Sequence, residues 1–347
     1  MIISKTPYRI SFLGGGTDYP AWFREHGGGV LATSIDKYCY LTCRHLPAFF
    51  EHRFRIVYSR TELCRTIDKI EHPAIREMFR MMKIREGLEM HYDGDLPARS
   101  GMGSSSSFVV SLLHILHALR GQMISQQELA QKAIHFEQEV LKETVGSQDQ
   151  VICAYGGLNV IRFSSRKHFD IRPLIVSKER QDKFERHLLL FYTGIPRIAS
   201  DVARTFVPGM ERNQHFRRML EFFEQGVKVL SDGGRLEDFG SLLHETWMLK
   251  RCLSPAVTTS GIDSIYSAAR KAGAIGGKIL GAGGGGFMLF FAPPSRHAAI
   301  RRALGKLVHV PFRFESEGSR ILHYEKMKSF ELSPVKVRRK KVKASAR

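Results

Sequence analysis

Apolar positions along the chain follow two periods. Continuous or alternating apolar runs at 2–13, 30–45, 53–58 and 88–92 predict strands, and patterns at 71–85, 107–119 and 126–143 have helical spacing. Phe108, Leu112, Ile115, Leu116 and Leu119 carry that spacing in the second helix. Ser125 and Glu128 make a capping-box sequence ahead of the third, and Gly146 ends its pattern. A Gly156-Gly157 break, a strand Leu158–Phe163 and a buried strand Leu188–Tyr192 follow. Helical patterns then occupy 211–231, 235–251 and 260–273, before a last strand pair near 286–292 and 312–324. Strands and helices interleave without βαβ units of constant length, so the expected class is α+β.

Three glycine-rich segments interrupt the pattern. The first, Gly14-Gly15-Gly16-Thr17-Asp18, closes a short strand centred on Ile10 and Phe12. A hydroxyl and a carboxylate on such a turn suit a polyol, although they also suit a plain Asx turn. The second, Arg99-Ser100-Gly101-Met102-Gly103-Ser104-Ser105-Ser106-Ser107, feeds directly into the apolar helix. Small residues there admit a ligand to the helix N-terminus, where free N–H groups and the dipole favour an anion. The third, Gly281 to Gly286, contains a G-x-G-x-x-G spacing but leads into the strand-like Phe287–Phe291. A dinucleotide fold needs a helix there, so that reading fails. Glycine at five of six positions implies close backbone approach to a ligand or another loop.

Composition narrows the class. The chain has 347 residues, 43% hydrophobic, enough for two domains with real cores. Five cysteines without a CxxC pair argue against a disulfide framework and for a reducing, cytoplasmic setting. No apolar stretch reaches membrane-span length and no signal peptide is expected. Of the net charge of +19, residues 325–347 carry +7, leaving +12 for the rest. That basic tail has almost no apolar pattern and is expected to be disordered, a solubilising end or a non-specific contact for nucleic acid or anionic membrane. The densest basic run holds no aromatic residue, which disfavours a dedicated nucleic-acid binder. No Walker loop is present, and Asp238-Phe239-Gly240 spells a protein-kinase motif without its companions. The histidines are scattered without metal-ligand spacing.

In this order the three segments resemble the signature motifs of the GHMP small-molecule kinases: Thr6-Pro7-Tyr8-Arg9 through Tyr19, Pro97 through Ser107, and Lys278 through Gly286. The resemblance implies a two-domain fold, with a ribosomal-protein-like ATP-binding domain over 1–182, a ferredoxin-like domain over 183–325, and the tail 326–347. Within the family the fit is to the anomeric sugar kinases, those acting on heptose 7-phosphate above all, with fucokinases similar. It rests on Gly14 through Pro20, Ile35-Asp36-Lys37-Tyr38, Ala98 through Gly101, and Tyr192 through Ile195. An ATP-dependent kinase using Mg²⁺ and acting on a small sugar phosphate is therefore expected.

By the same resemblance Asp149 is the catalytic base and Arg9 stabilises charge. Arg99, Ser100, Gly101, Met102, Gly103, Ser104, Ser105 and Ser106 hold the ATP phosphates, with Gly283 and Gly284 bracing them. Gly15, Gly16, Thr17 and Asp18 hold the sugar, and Ser105 with Glu137 binds Mg²⁺. From its residues alone, Asp149 is equally a helix N-cap or a catalytic group. Lys37, Arg99, Arg197 and Lys250 are candidates for the substrate phosphate. A catalytically silent sugar sensor of the same fold is the alternative of another class, and it would lack Asp149, Ser105 or Glu137.

Overall fold

β1 (Ile2–Leu13) alternates buried and half-buried residues at its start and is wholly buried from Thr6 onward. It thus runs from a one-sided sheet into a region covered on both faces. The computed structural model describes residues 1–47, 49–98, 100–166, 168–195, 199–210 and 214–326. In it β1 pairs antiparallel with β2 (Gly28–His45), from Ile2 opposite Cys43 to Leu13 opposite Leu31. β3 (Phe54–Val57) forms a hairpin with β4 (Thr61–Cys64) and runs parallel to β5 (Leu88–Gly94), which pairs with the second half of β2. β6 (Leu158–Ser164) pairs with the first half of β2 and with β7 (His168–Pro173).

Helices α1 (Pro20–His26) and α2 (Pro73–Met81) are short connectors of this sheet. α3 (Ser104–Leu119) lies on β1 and β2 and against α4 (Gln126–His135) and α5 (Gln148–Tyr155). It is buried almost all round, which suits a central helix with apolar residues on every face. The expected helix 126–143 divides: α4 keeps its Ser125–Glu128 capping box, then a π-helical turn spans Phe136–Val140. That wider turn carries Glu137, which is fully buried.

After α6 (Lys178–Glu185), β8 (Leu188–Tyr192) opens a second sheet with β9 (Gly276–Ile279), β10 (Phe287–Phe291) and β11 (Val308–His309). Helices α7 (Ala199–Arg204), α8 (Gln214–Ser231), α9 (Leu236–Arg251) and α10 (Ser260–Lys271) lie between β8 and β9, and α11 (His297–Ala303) follows β10. The all-antiparallel order β11–β8–β10–β9 is that of a ferredoxin-like sheet, as expected.

The chain then departs from the expected boundary at 325. β12 (Phe314–Glu315) pairs with β2, and β13 (Arg320–Tyr324) covers the free edge of β1. The run 312–324 therefore belongs to the first sheet and does not pair with 286–292. The two halves share one core: Phe184 meets Phe12 edge-on at 5.2 Å between centroids, and Phe314 and Phe291 at 5.9 and 6.1 Å. Of the expected tail 326–347, residues 327–347 lie outside the described residues. Among the described residues no helix is long and apolar enough to cross a membrane, and all five cysteines are free.

The third glycine segment locks the second half onto the first. Phe287 N–H donates to the Ser100 carbonyl at 3.2 Å, while Thr193 N–H and Oγ1 donate to the Gly286 carbonyl at 2.9 and 2.8 Å. Gly286 has φ of +90°, and a Cβ there would fall onto the Ser100 carbonyl. Gly286→Ala is expected to lower the unfolding free energy by at least about 2 kcal/mol, measured by urea denaturation.

Candidate active site

Gly101 and Gly103 both have positive φ, 84° and 75°, which turns the chain sharply into Ser104, the first residue of α3. No side chain caps this helix N-terminus. It opens on a cleft of about 750 Å³ lined by Gly101, Gly103, Ser104, Ser105 and Ser106 from the loop side. Backbone N–H groups and a positive dipole end there make an anion site.

Arg9 reaches the same loop from β1. Its backbone N–H donates to the Met102 carbonyl at 3.0 Å and its Nη1 to the Gly101 carbonyl at 2.6 Å. Nε and Nη2 grip Asp149 Oδ1 and Oδ2 at 2.7 and 2.6 Å, a bidentate pair. Burial pulls the Arg9 pKa down, but the Asp149 carboxylate pushes it back and leaves it above its ordinary value. Asp149 sits in the first turn of α5 behind Ser147, the N-cap residue, so it is not the cap. Arg9 is 3% exposed and Asp149 22%, so the carboxylate is the open side of the pair.

Asp18 lies across the cleft from the loop. Its Oδ1 accepts from Gly16 N–H at 2.9 Å and its Oδ2 from Gln148 N–H at 3.2 Å. Burial raises its pKa against those N–H groups, and the neighbouring Asp149 charge raises it further. Gly15 and Gly16 line the cleft with it. Thr17 does not: its hydroxyl donates to the Gly14 and Gly29 carbonyls at 2.8 and 3.0 Å and accepts from Gly29 N–H. It ties the turn to β2, so the expected sugar contact falls to Asp18.

The remaining expected residues divide between the cleft wall and the layer behind it. Ser106, not Ser105, donates to Glu137 Oε2, at 2.9 Å, and Gln150 donates to the same oxygen; Ser105 is exposed on the cleft wall. Ser100 and Met102 are buried behind the loop and do not line the cleft. Gly283 and Gly284 pack on Val257, whose carbonyl accepts from Gly284 N–H at 2.8 Å; Gly281 and Ala282 are the cleft-lining residues of that segment. Arg99 and Arg197 lie outside the described residues. Lys37 donates to Asp36 at 2.9 Å and does not line the cleft, whereas Lys250 lines it and donates to the Ile279 and Gly281 carbonyls.

Sequence reasoning missed Lys278 as a site residue. It is buried, lines the cleft, and donates to the Ser11 and Phe12 carbonyls at 3.0 and 2.9 Å. Burial, with the nearby Arg9 charge, lowers its pKa to about 7. Its position within the third segment was the only signal.

The family models "GHMP kinases N terminal domain" and "GHMP kinases C terminal" match residues 60–157 and 219–309. The chain belongs to the GHMP kinases. It is an ATP-dependent sugar kinase. A D-glycero-alpha-D-manno-heptose 7-phosphate kinase of Campylobacter jejuni is 27% identical over 320 residues, 88% of this chain and 93% of that one. The bifunctional fucokinase/GDP-fucose pyrophosphorylase of Arabidopsis thaliana is 25% identical over 85% of this chain and 30% of its own length. Among solved structures, a D-glycero-D-manno-heptose 1-phosphate kinase of Bacteroides thetaiotaomicron shares the fold, with a TM-score of 0.76 and 22% identity over 94% of this chain and all of that one.

A divalent cation fits the residues present. Glu137 Oε1 is buried without a hydrogen-bond partner beside the uncapped start of α3. Burial and the nearby Glu143 raise the Glu137 pKa to about 8. Among the described residues no cluster of three or more His, Cys, Asp or Glu could hold a metal. One carboxylate supplemented by nucleotide phosphates and water is the mode Mg²⁺ favours.

The raised pKa sets a testable sign. An unfolded Glu137 ionises near its ordinary value of 4.5, whereas the folded one keeps its proton to about pH 8. The metal-free fold therefore loses stability as pH rises through that window. Metal-free Glu137→Gln is expected to melt above wild type at pH 8, with the difference shrinking toward pH 5, by calorimetry. The same variant should bind Mg²⁺–ATP at least about tenfold more weakly.

Proposed function

We propose that this ATP-dependent sugar kinase transfers the γ-phosphoryl group of ATP to the anomeric hydroxyl of D-glycero-D-manno-heptose 7-phosphate, giving the 1,7-bisphosphate. The observation that carries the reading is the Arg9–Asp149 pair standing between the phosphate loop and the Asp18 side of the cleft. It puts an accessible carboxylate where a sugar hydroxyl would meet the terminal phosphate. The heptose 7-phosphate acceptor is supported by the likeness to the Campylobacter jejuni enzyme across nearly its whole length.

In this reaction the anomeric oxygen bonds to the γ-phosphorus, the bond from that phosphorus to the β,γ-bridging oxygen breaks, and ADP leaves. Asp149 receives the hydroxyl proton, and Arg9 fixes the direction of its carboxylate while placing positive charge beside the transferring group. The loop 101–106 holds the nucleotide phosphates through backbone N–H groups, and Asp18 accepts from sugar hydroxyls. Glu137 with Ser106 or Ser105 would hold Mg²⁺, which neutralises phosphate charge when bound. Such catalysis depends on positioning and electrostatics more than on covalent help. Lys250 brings positive charge to the cleft beside the Ile279 and Gly281 carbonyls. A fucokinase activity is the second reading, favoured by the Arabidopsis likeness. A silent sensor is disfavoured because Asp149, Glu137 and the serine run are all in place.

Asp149→Asn is expected to reduce kcat by at least about 10²-fold while leaving ATP affinity near wild type, and to lower the melting temperature because buried Arg9 loses its counter-ion. Full activity in that variant would remove Asp149 as base. In direct competition, heptose 7-phosphate is expected to exceed fucose, galactose and mannose in kcat/KM by at least about tenfold, since its phosphate gains charge-assisted hydrogen bonds. Preference for fucose would overturn the acceptor and leave the family intact. Phosphorus NMR of the product distinguishes an anomeric phosphate from any other ester.

A further inference from the structure

Two polar atoms on the acceptor side of the cleft are buried and have no hydrogen-bond partner: Ser11 Oγ and Gln148 Oε1. Both residues line the cleft, and Ser11 is only 4% exposed. Their side chains border one spot, the space over Gly15. A Cβ built on Gly15 would lie 3.1 Å from Ser11 Oγ and 3.6 Å from Gln148 Nε2. A buried polar atom left without a partner is costly, so such a pair in a ligand cleft implies a group that arrives with the ligand.

The surroundings say which kind of group. Gln148 N–H binds Asp18 Oδ2, so an acceptor-only carboxylate adjoins the spot. A hydroxyl and a carboxamide each donate and accept. An ionised phosphate oxygen accepts only and cannot satisfy the Gln148 carbonyl oxygen or Asp18, whereas a sugar hydroxyl can donate to a carbonyl oxygen and accept from a hydroxyl. Lys278 holds the carbonyl of Ser11 itself at 3.0 Å, which fixes the strand end that aims this hydroxyl.

We propose that Ser11 and Gln148 form a specificity-determining subsite over Gly15 that binds hydroxyl groups of the acceptor sugar, with the acceptor's phosphate directed away from it. This deepens the sugar-kinase reading and rests on it.

The test uses the full chain and whichever of heptose 7-phosphate or fucose the wild type prefers, so a wrong acceptor shows in wild type before any variant is read. Ser11→Ala and Gln148→Ala are each expected to raise KM for the sugar at least about tenfold, with KM for ATP within about twofold of wild type. Gly15→Ala, which fills the spot without deleting a polar group, is expected to raise the sugar KM at least as much. Gly15 does not have the positive φ of its neighbours Gly14 and Gly16, so the added methyl acts through space alone. With monodeoxy forms of the same sugar, one analogue should bind wild type about tenfold worse and lose no more in Ser11→Ala. Unchanged sugar KM in both alanine variants, or wild-type indifference to every monodeoxy analogue, overturns the subsite. The wild-type arm decides the matter even where a variant fails to fold.

Discussion

The Arg9 side chain holds three parts of the protein together. It lies on β1, donates to both oxygens of the Asp149 carboxylate of α5 in a two-point grip, and donates to the carbonyl of Gly101 in the loop before α3. Its backbone N–H adds a bond to the next carbonyl along that loop, that of Met102. A guanidinium has five donors in a rigid plane, so satisfying it in this way fixes relative orientation as well as distance. Breaking the grip would leave a buried cation without its counter-ion, which is far costlier than losing an exposed pair. Loop, strand and helix therefore cannot shift independently, and the phosphate-facing N–H groups keep a set distance from the carboxylate.

What was readable in the sequence follows from what local pattern encodes. The long strands and helices are visible because their apolar period is sustained, and Arg9 and Asp149 stand at fixed offsets from glycine signals. Directions of side chains are harder. α3 starts at Ser104, three residues before its apolar pattern begins, and each residue turns a helix by about 100°. The choice between Ser105 and Ser106 as the partner of Glu137 is a choice of helical phase, which the serine run cannot reveal. Thr17 has the expected position and the wrong orientation, because the Gly14 and Gly29 carbonyls capture its hydroxyl.

Other gaps concern partners at a distance. The glycine density at 281–286 implies close approach, and the structure supplies three targets, Val257 for Gly283, Ile195 for Gly285 and Ser100 for Gly286. Nothing local distinguishes them. The run 312–324 is strand-like in sequence, but only the open edges of β1 and β2 determine where it pairs. Ser11 and Gln148 carry no motif at all. Their significance is an absence of partners, and this becomes visible only once every neighbouring donor and acceptor is in place.

The buried charges of the cleft sort by side, and this ordering connects the fold to the proposed reaction. Where the nucleotide phosphates would sit, the protein presents N–H dipoles and a carboxyl, Glu137, that burial keeps protonated to about pH 8. Repulsion of phosphate is thereby limited until a cation arrives to favour the ionised form. Opposite lies Asp18, also raised by burial but held by two N–H groups, next to the unpartnered Ser11 and Gln148. One side is arranged for anions and the other for hydroxyls, with Asp149 at the boundary. Asp18 and the Gln148 carbonyl oxygen are acceptors, so groups that donate, as sugar hydroxyls do, suit that part of the cleft better than a phosphate oxygen, and Asp149, close enough to influence Asp18, stands beside them to take a proton.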